Sequence, residues 1–331
     1  MQAAVLTEIK KPLTVQAVPN PLAARGEAVV QLKAAALNHR DLWIQLGQYA
    51  GIKTPVILGS DGAGTVLTVG SPEDSAWVGR EVIINPALDW GVNPRAQGSA
   101  FRILGLPDAG TFAEQCVIPA ANLVLKPSHL SWEQAAALPL TGLTAWRALF
   151  TRAQLQPNER VLITGIGGGA ALIALQLAVA AGAQVWVTSS SPEKIARAIT
   201  LGALGGVNYR EDNWAEALQQ QAGRFEVIVD SAGGAGFAPL IDLTAPGGRI
   251  VFFGATRGNP TSLDLRKCFF RQINMLGTTM GSPEDFSSLM TFVAAHKITP
   301  VVDKVFPLAE ADAAFRRMAS GEQFGKIVLA I

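Results

Sequence analysis

Cysteine is almost missing from this chain of 331 residues: there are two, Cys116 and Cys268, far apart. That scarcity excludes a disulfide framework and fits a reducing compartment. Charge is scarce as well, with charged residues at 16% against 49% hydrophobic and a net charge of +1. Such a composition excludes a disordered arm. Basic runs interleaved with aromatics are also lacking, which excludes nucleic acid and an anionic membrane as partners. The first residues show no basic segment followed by an apolar one, so a cytoplasmic location is expected. One long uncharged stretch, residues 161–191, invites a membrane-spanning reading. Glycines 165, 167, 168 and 169 open it and Ala181-Gly182-Ala183 breaks it, so a helix followed by a buried strand explains it better.

The same stretch is the most informative part of the chain. The β-branched run Val161-Leu162-Ile163-Thr164 enters the cluster Gly165-Ile166-Gly167-Gly168-Gly169, and an alanine-rich helical pattern leaves it. This is the strand, turn and helix that a dinucleotide pyrophosphate requires. Glycine lets the backbone turn tightly and approach the phosphates, and the first helical turn offers unpaired N–H groups. A glycine-rich connection with no ligand is the alternative, and the surroundings decide between them.

From residue 158 to 277 strand-like segments (161–164, 184–188, 206–209, 225–230, 249–253, 272–277) alternate with helix-like ones (170–181, 192–201, 213–222, 237–243). Parallel strands need crossovers, so the alternation predicts a doubly wound parallel sheet with helices on both faces. Ser191 and Pro192 suit the cap and first position of a helix. Earlier residues read as short strands (3–7, 13–17, 28–35, 62–69, 81–84, 112–118, 122–125) of an antiparallel, barrel-like domain. Residues 131–149 read as a bridging helix capped by Ser131. The tail carries helices near 284–296 and 310–318 and a closing strand at 326–331, and is expected to return to the first domain.

Local strings sharpen this organisation: Asn38-His39-Arg40-Asp41, Gly59-Ser60-Asp61-Gly62-Ala63-Gly64, Gly110-Thr111-Phe112-Ala113-Glu114, the run from Ala135 to Ala145, and the glycine cluster through Gln176. With them the chain resembles the medium-chain dehydrogenase/reductase superfamily over nearly its whole length, and within it the zinc-independent quinone oxidoreductase-like branch. The resemblance implies an α/β fold, a Rossmann doubly wound parallel sheet plus an N-terminal GroES-like β-barrel domain. The catalytic GroES-like domain then covers residues 1–125, the NADPH-binding Rossmann domain 126–278, and 279–331 form the return to the catalytic domain. A homodimer is also implied, with the apolar edge strand 272–277 as a candidate contact.

Zinc-dependent relatives hold a catalytic metal with a cysteine where this chain has Asn38 and a histidine where it has Ser60. Neither replacement is a good zinc donor, and no spacing gathers His39, Asp41 and Cys116 into a substitute. The stretch resembling the structural-zinc lobe, residues 85–108, has no cysteine. No metal is expected.

NAD-binding folds place a carboxylate after the second strand for the ribose hydroxyls. Here that strand ends in Thr188-Ser189-Ser190-Ser191, with Lys194 one turn later and Tyr209 after the third strand. By resemblance, Ser189, Ser190, Lys194 and Tyr209 match the 2′-phosphate site of NADPH-using relatives; the alternative for Lys194 is a solvated lysine on a capped helix. Gly167, Gly168 and Gly169 lie nearest the pyrophosphate. The resemblance adds Ser231 and Gly233 after the fourth strand, Phe253, Gly254 and Ala255 after the fifth, and Thr141 and Lys326. Turn glycines and an exposed lysine are their structural alternatives.

Without a metal to stabilise developing alkoxide charge, the acceptor must be activated already. Conjugated enones and quinones meet that condition, so hydride transfer from NADPH to an electron-poor alkene or quinone is the expected reaction. A metal-free alcohol or aldehyde reductase and a low-turnover NADPH-binding sensor are the alternatives. Asn38 is the candidate hydrogen-bond donor to the substrate oxygen. Tyr49 either donates a proton or walls the pocket, and Asp41 either acts near the nicotinamide end or fixes its loop. Cys116 reads as a small core residue.

Overall fold

The computed structural model describes all residues from Met1 to Ile331, in two compact units: Met1–Leu143 with Gly281–Ile331, and Thr144–Met280. Residues 126–143, grouped with the nucleotide fold in the sequence reading, cluster with the first unit. No helix is long and apolar enough to cross a membrane.

The strand Glu27–Ala36 organises the first unit. Asp61–Val69 pairs antiparallel along one edge, and the other edge is shared, with Gln115–Pro119 opposite residues 27–31 and Lys326–Ala330 opposite residues 34–36. The tail therefore does return, through a strand that also pairs in parallel with Val302–Pro307, an element the sequence reading did not identify. Two cores flank this sheet. One gathers Leu37, Ile44, Phe112, Phe315 and Leu329, with the Phe112 and Phe315 rings edge-on at 6.0 Å. The other gathers Val30, Leu32, Val66, Ile84 and Cys116. Burial pushes the Cys116 thiol up to about 12, so it stays protonated and inert, as a core residue should.

At Gly64 the sheet backbones approach so closely that a Cβ there would lie 2.1 Å from the Gln31 carbonyl oxygen. Immediately after the central strand, Asn38 caps a short helix, His39–Gln45, absent from the sequence reading because its charged and aromatic residues mask any apolar period.

The second unit is a six-stranded, all-parallel sheet in the order Gly205–Asn208, Gln184–Ser189, Arg160–Ile163, Phe225–Asp230, Thr244–Phe252, Asn274–Gly277. In chain order this is 3-2-1-4-5-6, the doubly wound dinucleotide topology. The six strands are the six expected, with ends shifted by a few residues. A helix at Leu265–Phe270 was not expected; the Asp264 carboxylate caps it by accepting from the Arg266 and Lys267 amides at 3.0 and 3.1 Å. The bridging helix expected over 131–149 is broken into Trp132–Ala136, Pro139–Trp146 and a π-helical turn, Arg147–Arg152. Pro139 explains the first break, because proline lacks the N–H that would continue the helix and disfavours helical backbone before it.

Replacing Gly64 with alanine should cost about 1–3 kcal/mol of unfolding free energy, as expected for overpacking against atoms that cannot withdraw. Urea unfolding should show this as a lowered midpoint at unchanged slope.

Candidate active site and dinucleotide turn

In the first unit, three segments converge on Asp61, the first residue of its strand and fully buried. Lys326, which opens the closing strand, places its Nζ 2.8 Å from Asp61 Oδ2 and 2.6 Å from Asn38 Oδ1. Asn38 Nδ2 donates to the same Asp61 Oδ2 at 2.9 Å. The other oxygen, Oδ1, accepts the Leu140 amide at 2.8 Å and so holds the start of the helix that carries Thr141. Lys326 is 4% exposed, so the sequence expectation of an exposed lysine as its structural alternative is wrong. Its ammonium can be buried because two oxygens receive it.

Asp41 lies beside this group, accepting the Asn38 amide at 2.8 Å and the Gly59 amide at 3.4 Å. These are the backbone N–H contacts that the loop-fixing alternative anticipates. Burial pushes its carboxyl up to about 6; Arg40, the Asn38 amide and Lys326 oppose the rise, and Asp61 adds to it. Arg40 donates to Ser60 Oγ at 2.9 Å and to the Leu104 carbonyl at 3.0 Å, and Ser60 Oγ donates to that carbonyl at 2.7 Å. The Arg40 guanidinium lies 5.2 Å from the centroid of the half-buried Tyr49 ring. Asn38, Asp41 and Lys326 thus share one cluster, and Tyr49 joins it through Arg40. His39 keeps an accessible face; desolvation, then the Lys326 ammonium, lowers its pKa.

These residues do not fit a catalytic zinc. Asn38 and Ser60 stand in the ligand positions, the Ser60 hydroxyl is spent on Arg40 and Leu104, and an ammonium occupies the centre of the group. No three His, Cys, Asp or Glu side chains gather as a metal site.

In the second unit, Gly165 and Gly167 adopt φ values of 65° and 130°, which favour glycine, and Gly168 caps the helix Gly169–Ala180. A Cβ at Gly165 or Gly168 would meet nothing within 4 Å, whereas at Gly167 it would lie 2.9 Å from Lys194 Cδ. The turn is therefore an open cradle of backbone with the lysine stem against it, as a dinucleotide pyrophosphate requires. Ser189 is 3% exposed; its hydroxyl donates to the Ile166 carbonyl at 3.3 Å and accepts the Ser191 amide at 3.2 Å. Its hydroxyl is thus spent within the protein, and Ser190, half-buried, follows it. Ser191 caps the next helix by accepting the Lys194 amide at 3.2 Å.

The turns after the fourth and fifth strands are locked together. Asp230, 3% exposed, accepts from Thr164 Oγ1 at 2.6 Å and from the Gly233 amide at 2.8 Å; burial raises its pKa. A Cβ at Gly254 would lie 2.6 Å from the Ser231 carbonyl oxygen, so only glycine lets Phe253-Gly254-Ala255 press against Ser231 and Gly233. The same loop carries Arg257, whose guanidinium donates to the Tyr209 hydroxyl at 2.9 Å and lies 4.8 Å from the ring centroid. Sequence reasoning missed Arg257, Asp61 and Asp230. Only Asp61 had a signal, as the single carboxylate in a glycine-rich string.

Because the folded state holds the Asp41 proton well above the ordinary value of 3.8, the stability this supplies is complete below that pH and is lost as pH rises through about 6. Relative to Asp41→Asn, the native protein should lose up to about 3 kcal/mol between pH 4 and 7. Urea unfolding at several pH values measures the difference, and parallel profiles would refute it.

Two family models match the chain: an alcohol dehydrogenase GroES-like domain over residues 24–128 and a zinc-binding dehydrogenase over residues 169–295. The chain is 34% identical to "Zinc-type alcohol dehydrogenase-like protein YogA" of Leptosphaeria maculans, over 98% of this chain and 96% of that one. It is 30% identical to an acryloyl-coenzyme A reductase of Metallosphaera sedula, over 99% of each. Among solved structures, an NAD-dependent alcohol dehydrogenase superposes with a TM-score of 0.93 at 37% identity, covering 100% of both chains. With the GroES-like sheet, the 3-2-1-4-5-6 parallel sheet and relatives of this kind, the chain belongs to the medium-chain dehydrogenase/reductase superfamily and is an oxidoreductase.

Proposed function

We propose that this enzyme is an NADPH-dependent, zinc-independent reductase of activated alkenes, conjugated carbonyl compounds above all, and of quinones. One observation carries the reading: an amide, Asn38, and a hydroxyl, Ser60, stand where a metal-dependent relative needs zinc donors, and the Lys326 ammonium lies against the amide. Such a site can direct a hydrogen bond at an oxygen but supplies no Lewis acid, so the acceptor must be electron-poor already. The similarity to an acryloyl-coenzyme A reductase, whose substrate by name is an activated alkene, supports the same class.

Bound NADPH supplies a hydride, two electrons with one proton. Addition at the β-carbon of an enone moves the alkene electron pair toward the carbonyl, whose oxygen takes up negative charge. Asn38 donates an N–H to that oxygen. Protonation of the α-carbon from water then completes the saturated product. Tyr49, its ring under Arg40 and packed on the apolar core, forms a wall rather than delivering the proton. Asp41 keeps the Asn38 backbone in place.

The open glycine cradle fits the pyrophosphate, and three features favour the 2′-phosphate: the absence of a carboxylate at the end of the second strand, the Lys194 stem on the turn, and the cation Arg257 beside Tyr209. The NAD-dependent alcohol dehydrogenase neighbour favours a second reading, an NADH-linked alcohol or aldehyde reductase. We also assign a homodimer, formed through the edge strand Asn274–Gly277, near which Leu265, Phe269 and Phe270 are exposed.

Purified enzyme should oxidise NADPH with an enone or a quinone faster than with a simple aldehyde, and a chelator should leave the rate unchanged. Turnover of aldehydes alone, or loss of activity on chelation, refutes the reading. Lys194→Ala should weaken NADPH binding about tenfold, the worth of one charge-assisted hydrogen bond, and leave NADH binding unchanged in fluorescence titration.

A further inference from the structure

The side chain proposed to serve the substrate is held by the buried ion pair of Lys326 and Asp61. An ammonium can only donate and a carboxylate can only accept. Between Lys326 Nζ at 2.6 Å and Asp61 Oδ2 at 2.9 Å, the Asn38 amide therefore has one orientation, with its oxygen toward the lysine and its nitrogen toward the aspartate. One Nδ2–H is spent on Asp61, and the second has no protein acceptor.

Donation from Lys326 to the amide oxygen also draws electron density from the amide nitrogen, which strengthens the remaining N–H as a donor. Stability alone does not call for this arrangement. Burying a charged pair gains little over well-packed apolar side chains, because desolvation offsets the attraction. The pair is nonetheless buried at 4% and 0% side-chain exposure, each residue opening its own strand.

We propose that Lys326 is a positioning residue for hydride transfer: paired with Asp61, its ammonium orients and polarises the Asn38 amide so that the second N–H meets the carbonyl oxygen of the acceptor as negative charge builds there. The ligand class is a conjugated carbonyl compound or quinone, recognised at the oxygen. The inference rests on the reductase reading above. It also gives the disagreement with zinc chemistry a physical content, since a fixed charge acting through an amide stands where a metal would polarise the oxygen directly.

The test compares native enzyme with Lys326→Met/Asp61→Asn, which removes both charges together and leaves no orphaned carboxylate; the introduced amide oxygen still accepts from Leu140. The double variant should keep its melting temperature within a few degrees and its NADPH affinity and enone KM within about threefold, while kcat falls at least about tenfold; deleting a whole oxyanion donor costs about 100-fold or more. In Lys326→Ala, propylammonium should restore kcat saturably, and sodium chloride at equal ionic strength should not. A readout independent of turnover is the Asn38 side-chain amide NMR signal of the free enzyme, whose hydrogen exchange should be slow in the native protein and fast in the double variant. A double variant with kcat within threefold of native, or an amide signal unchanged by it, overturns the proposal. Native enzyme that oxidises NADPH with neither enone nor quinone fails the reductase reading itself and takes the proposal with it, whereas an active native enzyme with an equally active double variant fails the proposal alone.

Discussion

The buried carboxylate of Asp61 is the constraint around which the first unit is arranged. It joins the strand it opens, the Asn38 cap, the closing strand through Lys326 and the helix start at Leu140. A carboxylate without water needs every one of these donors, so none of the segments can drift without exposing an unpaired charge. Positional precision at Asn38 is thus a by-product of electrostatic necessity. The neighbouring Asp41, holding the backbone N–H of the same asparagine, fixes its main chain as Asp61 fixes its side chain.

The second unit reaches comparable order by a different means. There the close approaches are permitted by glycine, at 254 between two backbones and at 167 between backbone and the Lys194 stem, and a single buried carboxylate, Asp230, accepts from Thr164 and Gly233 to hold the turns after the first and fourth strands in register. Backbone geometry suits a ligand recognised mainly by its phosphates. An acceptor recognised by one oxygen is better served by an oriented side chain.

These two strategies explain what was legible in the sequence. Strands such as Phe225–Asp230 and the helix Gly169–Ala180 announce themselves by apolar runs, alanine content and glycine punctuation, which are local properties. The helices His39–Gln45 and Leu265–Phe270 do not, since their stability comes from caps and tertiary packing rather than from period. The cofactor turn could be read because its chemistry is contiguous. The Asp61 cluster could not, because Asn38 and Lys326 are 288 residues apart and nothing in either neighbourhood announces the other. Lys326 stands out in the sequence only as a candidate cofactor contact, with an exposed lysine as the alternative, since a lone lysine carries no mark of the carboxylate that buries it. Arg257 has no local signal for the same reason, as its partner Tyr209 lies beyond two intervening strands and helices.

The shared edge of the strand Glu27–Ala36 bears on how the chain matures. The segment that fills its last three positions, Lys326–Ala330, is made only after all of the second unit. During synthesis the second unit, being contiguous, has all its strands in hand while the first still lacks one partner along residues 34–36 and the counter-charge for Asp61. The order of emergence from the ribosome is thus the reverse of the order of completion: the nucleotide-binding half can close first, and the half that begins the chain closes last.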